Sequence, residues 1–134
     1  MTDEHEQQTF GCEHCWPTSP DAAWDDRRAR RGEADLIDES HFHLMLLVCV
    51  HCGQKFLSAF SETVDWVDGD DSQYWCVLPL TAPEAAQLKA RGGALSESEL
   101  FTLAPKRRSL WRDYPKGQEP RSSWGTGFTF RSHD

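Results

Sequence analysis

Cysteine is the residue type whose spacing in this sequence could do chemistry. "GCEHCWP" separates Cys12 from Cys15 by two residues, and "VCVHCGQKF" separates Cys49 from Cys52 in the same way. A C-x-x-C turn points two sulfurs at one ion. Two such turns supply the four ligands of a tetrahedral zinc, at ~2.3 Å from each sulfur. Four sulfur ligands leave no position for water, so such a centre holds a chain together and does not activate a nucleophile. The expectation is one structural Zn2+ per chain on Cys12, Cys15, Cys49 and Cys52. His14 and His51 lie inside the two turns and are alternative ligands. Cys76, between Trp75 and Val77, reads as a buried apolar thiol.

A dithiol redox centre is the competing use of the same residues. A thioredoxin-type pair opens a helix after a buried strand, where the helix dipole lowers one thiol's pKa. Cys49–Cys52 instead joins two apparent strands, and Cys12–Cys15 precedes Trp-Pro. Redox chemistry therefore ranks behind metal binding. The amino terminus, "MTDEHEQQTF", is acidic and polar, unlike a signal peptide. The longest apolar run, "LMLLVCV", is far shorter than the ~20 residues of a membrane helix. A cytoplasmic protein without membrane attachment is expected, and in a reducing compartment metal binding is the commoner use of cysteine.

The elements that must position the cysteines are legible from alternation. "HFHLMLLVCV" reads as a strand with Phe42, Leu44, Leu46 and Val48 on one face. "KFLSAFSETVDWV" reads as a second, with Phe56, Phe60, Val64 and Trp66 together, and "QYWCVLPL" as a third. Asp-Gly in "DGDD" suits a hairpin between the second and third. Upstream, Ser19, Pro20 and Asp21 start a helix over 20–31, with Arg27, Arg28, Arg30 and Arg31 toward its negative end and Gly32 as its stop. "EADLIDES" reads as a polar linker. Downstream, Thr81–Glu84 and Ser96–Glu99 have capping-box spacing for two more helices. The fold expected is α+β: a small antiparallel three-stranded meander with a zinc-ribbon-like four-cysteine site and two or three short helices. At 134 residues the chain fits one domain. Within it come a flexible tail at 1–8, the sheet at 10–80, a helical segment at 81–104 and an extended, aromatic and basic segment at 105–134. That last segment is too aromatic for plain disorder and is expected to wrap the core.

On "CEHC" and "CVHCGQKF" the chain resembles the zinc-ribbon group of proteins. The resemblance implies an all-cysteine zinc site at the tip of a small antiparallel sheet. Gly53 would supply the backbone conformation that aims amides at sulfur, and Lys55 would offset thiolate charge. Trp16-Pro17 stands where glycine is common, and Pro17 has no N–H to give. The 33 residues between the pairs exceed the usual ~15–20, and the helix at 20–31 accounts for the excess.

Other chemistry-bearing residues read as structural. His41 and His43 share a strand face with Cys49 but lie too far along it to reach the metal. Asp65, Asp68, Asp70 and Asp71 lack the alternate spacing of a calcium loop and suit a charged turn. "PKRRSLWRDYPKG" mixes Lys106, Arg107, Arg108, Trp111 and Arg112 with Tyr114 and Lys116; basic and stacking groups together are the means of gripping single-stranded nucleic acid. Charge argues the other way. Residues 1–75 carry 5 basic and 16 acidic side chains, residues 76–134 carry 9 and 6, and the whole chain stands at −8. A net acidic chain is repelled by phosphate. No catalytic triad order, phosphate loop or HExxH helix occurs, so no enzyme is expected. The expected function is a non-enzymatic zinc protein that binds another protein, as an adaptor or an immunity- or inhibitor-type binder of a basic partner. A nucleic-acid-associated zinc ribbon using 106–116 is the alternative, and a dithiol redox protein the third.

Overall fold

The computed structural model describes residues 10–69 and 71–131. The tail expected at 1–8 and Asp70 lie outside the described residues. Six strands form one antiparallel sheet in sequence order: β1 (Arg30–Glu39), β2 (Phe42–Cys49), β3 (Lys55–Thr63), β4 (Ser72–Leu80), β5 (Arg108–Tyr114) and β6 (Arg121–Thr126). Three short helices accompany them among the described residues: α1 (Pro20–Asp25), α2 (Ala82–Arg91) and α3 (Glu97–Phe101). The three-stranded α+β meander is thus corrected to a mostly β protein with a sheet twice as wide.

β2, β3 and β4 lie where alternation places them. The additions flank them. β1 occupies what reads as helix end and polar linker. Two register shifts, at Gly32/Ala34 and Asp35/Ile37, break its alternation, so Leu36 is buried while Glu33, Asp35 and Asp38 are exposed. A bulge inserts an unpaired residue and re-aims the side chains beyond it, which erases the period of two from the sequence. The helix expected over 20–31 ends at Asp25, followed by a single 3-10 turn at Arg27–Ala29. Pairing of Arg30 with Cys49, and of the Val50 amide with the Ala29 carbonyl (2.7 Å), takes the chain into the sheet instead. Tertiary pairing here overrides a weak helical preference. β5 and β6 occupy the segment expected to be merely extended. Their turn runs Pro115–Gln118, with the Gln118 amide on the Pro115 carbonyl and Gly117 at φ +71°. That is the positive φ which the third position of a type II turn asks of glycine.

Both faces of the sheet are packed. On one, Phe42, Leu44, Leu46, Leu57, Ala59, Cys76, Leu78 and Leu80 form the main core under Leu88 of α2 and Leu100 of α3. Thr81 and Ser96 cap these helices with both bonds of their boxes present. Phe128 and Phe130 close this core from the carboxy-terminal side, as expected of aromatic anchors, and Phe130 stacks on Phe101 at 4.5 Å. On the opposite face a smaller cluster gathers Cys15, Ala23, Cys49, Phe56, Val77 and Leu110. β3 keeps Phe56 and Phe60 on one face and Ser61 on the other, as alternation places them, but Leu57 and Ala59 of the Ser61 face meet the main core while Phe56 joins the smaller cluster, and the strand ends at Thr63, leaving Trp66 in a turn. Among the described residues no helix is long and apolar enough to cross a membrane.

Candidate metal centre

The turn between β2 and β3 holds the second cysteine pair in place. The Cys49 amide donates to the Gln54 carbonyl (2.9 Å) and the Gly53 amide to the Cys49 carbonyl (2.9 Å). Gly53 sits at φ +81°, so the conformational role expected of it is met. Gln54 pins the turn to the sheet, its Nε2 donating to the carbonyls of Leu80 (2.7 Å) and Lys55 (2.8 Å). The first pair is a turn of its own, in which the amides of Cys15 and Trp16 both donate to the Cys12 carbonyl (3.0 and 3.2 Å). Trp16 anchors it. Its indole donates to the Phe10 carbonyl and packs against Trp124 of β6 at 5.4 Å, and Arg108 of β5 lies over both rings.

These supports bring four sulfurs together. Those of Cys12, Cys15, Cys49 and Cys52 all lie within 4.8 Å of one another. Cys12 and Cys15 are separated by 4.0 Å and Cys15 and Cys52 by 3.8 Å. A tetrahedron with metal–sulfur bonds of ~2.3 Å has edges of about 3.8 Å. A disulfide requires ~2.05 Å, and all five cysteines are free thiols. The four-cysteine cluster can hold a metal ion and is consistent with a zinc-ribbon-like site. His14 and His51 do not join this four-sulfur group. Their rings stack on each other at 3.7 Å, one from each turn, and so tie the two turns together.

Electrostatics at the site distinguish the two turns. Burial raises the pKa of Cys49, but the amides of His51 and Cys52 aimed at its sulfur, together with hydrogen bonds from the Cys15 and Cys52 thiols, leave it lowered. The His51 amide lies 3.4 Å from that sulfur. Burial pushes the Cys15 thiol far up, and Cys52 is also raised, by burial first and by its neighbouring sulfurs. Four sulfurs at this spacing repel one another as thiolates, and a divalent cation at their centre relieves that repulsion.

Arg30 is a member of this site that sequence reasoning assigned elsewhere. It is buried, donates from Nη2 to the Ala23 carbonyl (3.2 Å) and lies over the Phe56 ring at 5.6 Å. Burial lowers its pKa, while negative charge on Cys15, Asp26 and Cys49, when these are ionised, favours its charged form. Lys55, expected to offset the thiolates, instead bonds Glu33 across the sheet at 2.6 Å. The buried cation beside the sulfurs is therefore Arg30. Arg30→Met, which keeps the length and removes the charge, is expected to weaken zinc binding about 10- to 100-fold. Competition with a chromophoric chelator measures it. Gly11 is the other residue missed. At φ +93°, it would place a Cβ 2.6 Å from the Cys15 sulfur. A glycine directly before a knuckle cysteine was the available signal.

The remaining candidates fall apart spatially. His41 bonds Glu62 (3.0 Å) and His43 bonds Asp35 (2.9 Å), each across the sheet. In the basic segment, Lys106 is exposed. Arg107 forks onto Glu84 (2.7 and 3.3 Å) and also donates to the Pro79 carbonyl (3.0 Å). Arg108 lies over Trp124 at 4.1 Å, and Arg112 lies over Trp24 and donates to Ser122 (3.0 Å). Trp111 points to the opposite face, where it packs on the main core and its indole donates to Ser109 (2.8 Å). The period of two in β5 thus sends Trp111 away from Arg108 and Arg112. Comparison of the chain with protein families, with curated proteins and with solved structures gave no match.

Proposed function

We propose that this chain is a non-enzymatic, zinc-stabilised protein that works by binding another protein, with one structural zinc on Cys12, Cys15, Cys49 and Cys52. The observation that carries this reading is the sulfur-only set at tetrahedral spacing. A zinc with four sulfur ligands has no vacant position, so its contribution is to the fold. The two turns come from segments far apart in sequence and meet over the smaller core cluster, where a metal would lock the amino-terminal segment to the sheet. Neither cysteine pair opens a helix, which favours metal over dithiol redox use.

Work by protein binding is supported by charge. The acidic balance of the first 75 residues suits a basic protein surface. The basic segment is less suited to nucleic acid, because Arg107 is paired with Glu84, Arg112 lies 3.9 Å from Asp21 and Lys116 pairs with Asp65 and Asp68. Two measurements on freshly purified protein test the reading. Elemental analysis is expected to give about one zinc per chain, and fluorescence anisotropy with a labelled single-stranded oligonucleotide at low salt is expected to give no binding. Absence of zinc would remove the metal claim. Oligonucleotide binding that falls steeply with salt would replace the protein-binding claim with the nucleic-acid one.

A further inference from the structure

The turn between β3 and β4 presents apolar side chains that the fold does not use. Trp66 is 85% exposed and Val67 89%, the most exposed large apolar residues among those described. Their backbone is nonetheless tightly organised. One carboxylate oxygen of Asp65 accepts the amides of Val67 (3.0 Å) and Asp68 (3.0 Å). The Asp65 amide donates to Asp71 (2.7 Å), and the Gly69 amide returns to the Asp65 carbonyl (3.0 Å). Lys116, from the β5–β6 turn, clamps the tip from outside at 2.6 Å from Asp65 and 3.0 Å from Asp68. That clamp, with the amides on Asp65, holds its carboxyl down at about 2, so the turn keeps its shape through ordinary pH.

A fixed loop that holds a tryptophan in water is the opposite of what folding alone selects, since burial would reward it. It is what binding selects. An ordered backbone removes the entropy cost of organising the loop on association, and tryptophan is the residue most enriched among those that dominate binding energy. The tip is also acidic. From residue 56 to residue 88 there is no Lys or Arg, while Asp65, Asp68, Asp70 and Asp71 all fall between β3 and β4. Asp68 remains largely exposed beside its lysine.

We propose that the β3–β4 tip is the docking element of this protein, inserting Trp66 and Val67 into an apolar pocket rimmed by Lys and Arg on a protein partner. This names the partner chemistry of the protein-binding reading and rests on it. An anionic membrane is a poorer occupant, because carboxylates at the tip are repelled by its surface. A second copy of the chain, meeting tip to tip, would oppose acid to acid.

The test uses the full, zinc-loaded chain with a photo-crosslinker, p-benzoylphenylalanine, in place of Trp66. Two further chains carry it in place of Val50 (56% exposed) or Phe101 (43% exposed). Irradiation in lysate of the native host is expected to give one discrete adduct from position 66, with a protein of net positive charge. Its yield is expected to fall roughly tenfold at high salt and in Asp68→Lys. With that protein purified, Trp66→Ser is expected to weaken binding about 100-fold while zinc content and melting temperature stay unchanged. An adduct at 50 or 101 with none at 66 overturns the tip assignment and leaves the wider reading standing. No adduct at any position overturns both. An adduct with an acidic protein, a salt-insensitive adduct, a crosslinked homodimer, or binding of the chain to phosphatidylserine vesicles through Trp66 each overturns the partner named here.

Discussion

Replacing Cys49 with serine is expected to abolish cooperative folding of this chain, to the same degree as treatment with a strong metal chelator. Cys49 is buried, ends β2, pairs with Arg30 at the start of β1 and takes the His51 amide on its sulfur. Its loss removes one of the four clustered sulfurs and leaves Cys15, also buried, beside an incomplete set. Structural zinc sites carry apparent binding free energies of ~10–16 kcal/mol. Folded domains hold only ~5–15 kcal/mol in reserve. A site of this kind therefore decides whether the attached segment folds at all. Circular dichroism melts of the zinc-loaded, chelated and Cys49→Ser proteins measure it: the first gives a sharp transition, and the other two give broad melts or aggregation. Cys76→Ser is the control. Its thiol is pushed up to about 12 by burial and lies 3.8 Å from the Gly127 carbonyl, away from the four sulfurs, so zinc content is expected to stay at about one per chain.

Phe56→Ala is expected to cost about 3–5 kcal/mol and to loosen the metal as well. Phe56 packs with Cys15, Ala23, Cys49, Val77 and Leu110, so its ring is the floor between the cysteine turns and the sheet. The Arg30 guanidinium lies over the same ring. Truncation opens a cavity beneath two ligands and removes the surface on which the buried cation rests. Denaturant unfolding of the zinc-loaded protein reads the stability change, and zinc release to a competing chelator reads the second effect. Phe60→Ala, four residues along the same strand at a half-buried position, is expected to cost less than half as much and to leave zinc release unchanged.

The cysteine site was legible because its chemistry is local. Two residues between thiols and a glycine after Cys52 are enough to predict a turn that aims two sulfurs one way. Its surroundings were not legible, because they are made by distant pairing. Arg30 sits four residues from Asp26 and reads as a helix-end charge. Only the register that sets it opposite Cys49 shows it to be the cation of the site. The central strands were legible from alternation, and the capping boxes at Thr81 and Ser96 placed two helices correctly. β1 escaped because two bulges scramble its period. β5 and β6 escaped because their polar, glycine- and serine-rich residues carry little apolar alternation, though Gly117 marked their turn. Parity alone sets Trp66 on a strand face. The strand ends at Thr63, Asp65 organises the turn beyond it by gathering the next amides onto its own carboxylate, and the tryptophan is exposed to solvent.

We propose that these four thiols are the complete ligand set of one zinc. X-ray absorption at the zinc edge on the freshly purified protein reads that ligand set. About one zinc per chain is expected, with four sulfur neighbours at ~2.3 Å and no nitrogen or oxygen in the first coordination sphere. A mixed nitrogen–sulfur sphere, an open position filled by water, or protein that carries no zinc with its cysteines joined as disulfides would contradict it.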